Sequence, residues 1–173
     1  MKNNIILIGY MGCGKTTLGR KVSFREKIAL LDTDKMIEQK QGRTVSEIFD
    51  TDGEAAFRQM ETDCLEEIMT YEERYVISVG GGLPMKEENR KLLKELGTVL
   101  YLRARPDTIY GRLKNDTTRP LLRGDDPEGK IRTMIGVRGP VYEEAADAVI
   151  DVDEKSYDMI IGEILNAVEG SGK

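Results

Sequence analysis

GYMGCGKTT, Gly9 to Thr17, comes near the start of a 173-residue chain and decides how the rest is read. Gly9, Gly14, Lys15 and Thr16 fit G-x-x-x-x-G-K-[ST], a pattern that average composition would produce in such a chain on the order of one time in 200. The apolar run IILI precedes it and the helical pattern TTLGRKV follows, so the glycines fall between a strand and a helix N-terminus. Lacking Cβ atoms, they let successive backbone N–H groups curl around phosphate oxygens. Lys15 is then expected to bridge the terminal phosphates of a nucleotide, and the Thr16 hydroxyl to ligate magnesium. The plainer alternative is a glycine turn that binds nothing, and the complete motif in this context argues against it.

The same alternation of short strands and longer helices continues along the chain. Strands are expected at Asn4 to Ile8, Ile28 to Leu31, Tyr75 to Val79, Thr98 to Leu102 and Ala148 to Val152. The clearest helices are Glu54 to Met69, with Phe57, Met60, Cys64, Leu65 and Ile68 on one face, and Tyr157 to Val168, with Ile160, Ile161, Ile164, Leu165 and Val168 on one face. This order predicts an α/β fold, a parallel sheet with helices on both sides and ligands beyond the carboxyl ends of the strands. Thr44 to Glu47 (TVSE) fits a capping box, Gly97 ends a lysine-rich helix, and Pro106 suits a helix's first turn. The polar stretch 115–129, with two prolines, two glycines and the arginines Arg119 and Arg123, is either a mobile lid or an insertion, and the arginines favour the lid. Residues 170–173 read as a frayed tail.

Composition narrows the chemistry. The length allows one sizeable core, so a single domain over residues 1–173 is expected. No apolar run approaches the roughly 18 residues of a membrane span, and the first residues read as a strand and not as a leader, so a cytoplasmic setting and no membrane partner are expected. A net charge of −5 argues against a nucleic-acid partner. With no histidine and two distant cysteines, Cys13 and Cys64, acid-base work falls to Asp, Glu, Lys or Tyr.

The strand YVISV ends in Gly80, Gly81 and Gly82 and offers no magnesium-holding aspartate there, so the acid must come from elsewhere. LLDTD supplies Asp32 and Asp34, one carboxylate for the metal and one for an acceptor hydroxyl, although Asp34 alone would also read as a helix cap. Arg58 carries a fork able to hold a carboxylate, or is a surface ion-pair residue. The triple glycine is a tight turn or a place where a ligand meets bare backbone. Arg119, Arg123 and Arg138 are positioned in sequence to neutralise charge on a transferring phosphoryl group and an anionic acceptor.

In order, GYMGCGKTT, LLDTDKMIE, SEIFDTDGEAAFRQME, SVGGG, TRPLL and VRGPVYEEAAD closely resemble the shikimate kinase family across almost the whole chain. The resemblance implies a three-layer P-loop kinase with a five-stranded parallel sheet and a closing lid, using ATP and Mg2+ to phosphorylate the 3-hydroxyl of shikimate on the way to chorismate and aromatic amino acids. Carried over to this sequence, acceptor contacts fall on Asp34, Arg58, Gly81 and Arg138. Nucleotide contacts fall on Gly12, Cys13, Gly14, Lys15, Thr16, Thr17 and the lid's Arg119, and the metal site on Thr16 and Asp32. Lys15, Asp34 and Arg119 are the expected catalytic residues, and the protein is expected to act as a monomer.

Three departures or gaps accompany the resemblance. Cys13 stands where the family often has serine and offers a modifiable thiol. Val22 to Leu30 is less apolar than expected, and Arg112 and Lys155 are the only candidates for an adenine contact. The competing readings are a kinase for another hydroxy acid or a nucleotide, a GTPase-type switch, against which the missing NKxD motif counts, and a nucleotide-binding subunit without catalysis.

Overall fold

The centre of the sheet is β1 (Asn4–Ile8), whose five residues are all buried. A strand covered on both faces needs apolar side chains in both directions, which the run Ile5, Ile6, Leu7, Ile8 supplies at about 1.5–3 kcal/mol per fully buried side chain. In the computed structural model, which describes residues 2–116 and 124–172, four further strands join it: β2 (Ala29–Asp32), β3 (Tyr75–Ser78), β4 (Gly97–Arg103) and β5 (Ala148–Asp151). All pair in parallel in the order β2-β3-β1-β4-β5. The expected strands are therefore present, with no end shifted by more than one residue.

Helices α1 (Lys15–Glu26), α2 (Thr33–Gln41), α3 (Val45–Asp52), α4 (Glu54–Met69), α5 (Glu87–Leu96), α6 (Pro106–Leu113), α7 (Pro127–Ala145) and α8 (Tyr157–Ser171) surround the sheet, with a 3-10 turn at Leu83–Met85. α1 and α8 pack together against the sheet, and α5 and α7 pack together on β4. The connection leaving β1 leads to β2 on one side of it, while the connection leaving β3 leads past β1 to β4. Adjacent strands whose connections diverge leave a crevice at their carboxyl ends. Here it separates the loop after β1 from the triple glycine after β3.

Local chemistry sets the ends. Thr44 and Glu47 form the capping box of α3, Gly97 ends α5, and Pro106 opens α6. α4 buries Phe57, Cys64, Leu65 and Ile68 as its stripe predicts, but also Glu61 and Thr62, which a hydrophobic pattern does not flag. In the segment with the unusual composition, Val22 is buried and Phe24 is 88% exposed.

Two boundaries are corrected. α7 takes up residues 127–129 of the expected lid, because Asp126 caps it by accepting from the Gly129 N–H at 3.1 Å; residues 117–123, including Arg119 and Arg123, lie outside the described residues. The expected frayed tail is helical to Ser171, whose hydroxyl donates to the Ala167 carbonyl at 2.9 Å. Among the described residues no helix is long and apolar enough to cross a membrane.

Candidate active site

The phosphate loop turns where its glycines permit it. Gly12 and Gly14 adopt φ of +79° and +104°, and Gly14 caps α1 with no side-chain hydrogen bond and no acidic residue in the first turn. The opening N–H groups of α1 therefore face outward with the positive end of the helix dipole, the arrangement that receives phosphate. The Lys15 ammonium folds over the loop and donates to the carbonyls of Gly9 at 2.7 Å and Tyr10 at 3.1 Å. Arg112 donates to the Gly12 carbonyl at 2.8 Å, bringing this adenine candidate to the loop; Lys155 instead pairs with Glu163. The Cys13 thiol is 1% exposed and packed beneath Gly9, so it is a core group and not the accessible thiol expected.

Asp32, Thr33 and Asp34 address three different partners. Asp32 Oδ2 accepts from the Thr16 hydroxyl at 3.4 Å, and its Oδ1 caps α2 by accepting from the Lys35 N–H at 3.2 Å. The cap is thus Asp32, which frees Asp34 from the structural reading the sequence allowed. Thr33, fully buried, accepts the Gly80 N–H at 2.9 Å. Asp34 reaches the glycines directly: a Cβ built on Gly80 would lie 2.6 Å from its Oδ1 and 3.1 Å from Glu61 Oε1. Burial pushes the Asp34 carboxyl up to about 6, with repulsion from Asp32 and Glu38 outweighing the relief from Lys15 and Arg58.

Glu61 is the group that pattern reading missed. Only 1% exposed, it accepts from Arg58 at 2.7 Å, three residues earlier on α4. Burial nevertheless pushes its carboxyl up to about 7, Asp34 adding to the shift and Arg58 and Arg138 opposing it. The i, i+3 spacing in FRQME was the available signal, since it places the two on one helix face. Arg58 also meets Glu54 at 3.3 Å and lies over the rings of Phe57 and Phe49. It rests against the backbone of Gly82, where any side chain would strike the guanidinium. From the opposite wall Arg138 lies over the Tyr10 ring, its Nη1 3.6 Å from a Cβ built on Gly81.

A cavity of about 350 Å³ is lined by the phosphate loop, Asp32, Asp34, the segment Ser78–Gly81, Arg112 and Tyr157, and Arg58, Glu61 and Arg138 pack against the triple glycine that forms part of its wall. A larger cavity of about 590 Å³ opens between α2 and α4 over Cys64. It offers mostly apolar walls and the Lys40–Glu67 ion pair, whereas the smaller one gathers helix N–H groups, a lysine and two carboxylates. Convergent polar chemistry selects the smaller cavity.

Comparison with known proteins gives the family. The family model described as shikimate kinase matches residues 11–169. The shikimate kinase of Burkholderia pseudomallei (strain 1710b) is 40% identical over 98% of this chain and 91% of its own length. The chain belongs to the shikimate kinase family. Among solved structures, a shikimate kinase from Acinetobacter baumannii in complex with shikimate superposes with a TM-score of 0.90 at 35% identity, over 99% of this chain and 95% of that one. The shikimate kinase of Aquifex aeolicus vf5 gives 0.83 at 33% identity, over 98% of each chain. The five-stranded parallel sheet and flanking helices are those of the shikimate kinase fold.

Proposed function

We propose that this chain transfers the γ-phosphate of ATP to the 3-hydroxyl of shikimate, giving shikimate 3-phosphate and ADP. The observation that carries the reading is one crevice with a phosphate loop on one wall and, on the other, a triple glycine against which Asp34, Arg58 and Arg138 are gathered, in a chain of this family.

Lys15 exchanges its two carbonyl partners for the β- and γ-phosphates, an exchange that leaves its charge where negative charge spreads in a loose transition state. The Thr16 hydroxyl and the Asp32 carboxylate form a hard oxygen pair that would hold magnesium. No larger cluster of acidic or sulfur ligands occurs among the described residues, as fits a metal shared with a nucleotide. Magnesium, when bound, neutralises phosphate charge; the protein's part is to fix the two oxygens that hold it.

Across the crevice, Arg58 and Arg138 grip the acceptor's carboxylate and the backbone of Gly81 lies beneath it. Asp34 accepts from the acceptor hydroxyl, fixes its line of attack and takes its proton late. Arg119, in the matching TRPLL block, would add positive charge to the phosphates; its role rests on the family pattern. We also infer that the enzyme acts as a monomer in the cytoplasm.

Magnesium-dependent ADP release, followed with shikimate, gluconate, nucleoside monophosphates or no acceptor, tests the reading. Release with shikimate alone is expected. Release without an acceptor, or a preference for another one, would keep the phosphate loop and reject the acceptor assignment.

A further inference from the structure

Four of the six backbone hydrogen-bonding atoms of the triple glycine have partners among the described residues. The Gly80 N–H goes to Thr33, its carbonyl accepts from the Leu83 N–H at 3.1 Å, and the Gly82 carbonyl accepts from the Met85 N–H at 3.1 Å. The Gly81 carbonyl accepts from the Tyr142 hydroxyl at 2.6 Å. Among the described residues none accepts from the N–H groups of Gly81 and Gly82.

We propose that Tyr142 is a positioning residue for the acceptor: its hydroxyl fixes the Gly81–Gly82 peptide and the place of Arg138 together. A planar peptide held by its oxygen has its N–H directed the opposite way. Pinning the Gly81 carbonyl thus turns the Gly82 N–H away from Tyr142. Tyr142 lies one helical turn after Arg138 on α7, so the same bond sets how far Arg138 stands from the glycines. Pro140 lies between the two and removes a backbone bond of the helix, so α7 is least constrained by its own ladder where Arg138 emerges. The ring is held in place by full burial and a tilted contact with Tyr101 of β4, the centroids 5.0 Å apart and the planes at 41°.

This inference rests on shikimate being the acceptor, so wild-type turnover is measured first. Tyr142→Phe keeps the ring and deletes only the hydroxyl. It is expected to raise KM for shikimate about tenfold, to weaken direct shikimate binding without nucleotide by a similar factor, and to move KM for ATP less than twofold. Ile164→Val, a trimmed core residue on α8, is the control for lost stability; it lowers Tm and leaves both KM values unchanged. Tyr101→Phe tests whether any hydroxyl lost from this ring pair suffices, and is also expected to leave KM unchanged. The proposal fails if Tyr142→Phe lowers Tm but binds shikimate like wild type, or if both substrates' KM values rise together. A wild-type chain that ignores shikimate would instead overturn the functional reading, and this inference with it.

Discussion

The two walls of the crevice are built in opposite ways. The donor wall is nearly all backbone from one continuous stretch, residues 9–17, shaped by glycines at positive φ and the start of α1. The acceptor wall is assembled from side chains on α2, α4 and α7 around three glycines, from positions spread over more than a hundred residues. A contiguous backbone cradle tolerates side-chain change except at its positive-φ glycines, Lys15 and Thr16. A wall of buried charges is sensitive everywhere, and it has opposing effects on stability and activity.

Lys15→Ala strikes the donor wall where chemistry depends on it. Turnover should fall about a thousandfold or more with little change in shikimate binding, as steady-state kinetics and calorimetry would check. Equal loss of acceptor binding would show that the walls are not independent.

Asp34→Asn is the sharpest test of the acceptor wall. It should lower kcat about a hundredfold while raising Tm by several degrees at pH 7.5, since it removes a buried charge held at some cost to the fold. The pH dependence follows from the same groups. Asp34 and Glu61 bind protons more tightly folded than unfolded, their carboxyls rising from 3.8 to about 6 and from 4.5 to about 7. Their stabilising contribution is fully present below about pH 4 and is lost as pH rises through the folded values, so it fades between roughly pH 4 and 7. Activity runs the other way: kcat/KM should fall below about pH 6 as Asp34 takes up its proton. A flat Tm difference between wild type and Asp34→Asn across pH 4 to 8 would contradict the buried charge.

Arg58→Ala should raise KM for shikimate roughly ten- to a hundredfold, with a smaller effect on kcat. Because it also strands the buried carboxyl of Glu61, the double variant Arg58→Ala with Glu61→Gln should recover stability without recovering affinity. Recovered affinity would remove Arg58 from the clamp. The smallest effect belongs to the donor wall again. Cys13→Ser should change kcat/KM less than twofold, and the wild-type thiol, buried beneath Gly9, should react with alkylating agents far more slowly than in the unfolded chain.

The contrast also explains what the sequence could disclose. The phosphate loop was readable because its function and spacing lie in nine consecutive residues, and the strands because burial on both faces leaves short apolar runs. Arg58 and Arg138 were identified as candidates, but their meeting across the glycines depends on tertiary packing. Glu61 was hidden because a buried acid looks like a surface acid until its neighbours are placed. The identity of the α2 cap turned on where the helix begins, one residue earlier than DKMIEQK suggests, and such boundaries are weakly encoded. Thr33 and Tyr142 gave no signal, since their hydroxyls act on backbone atoms far away in sequence.

The tripeptide Asp32-Thr33-Asp34 bears on how such enzymes can be recombined. Its first residue meets Thr16 of the donor wall, its second the glycines, and its third, on the proposed reading, the acceptor, with no spare residue between them. The two walls are consequently not interchangeable modules. A chimera that grafts one relative's nucleotide half onto another's acceptor half has no neutral junction here, and crossovers should survive only where they leave the tripeptide and the glycines it grips in common ancestry.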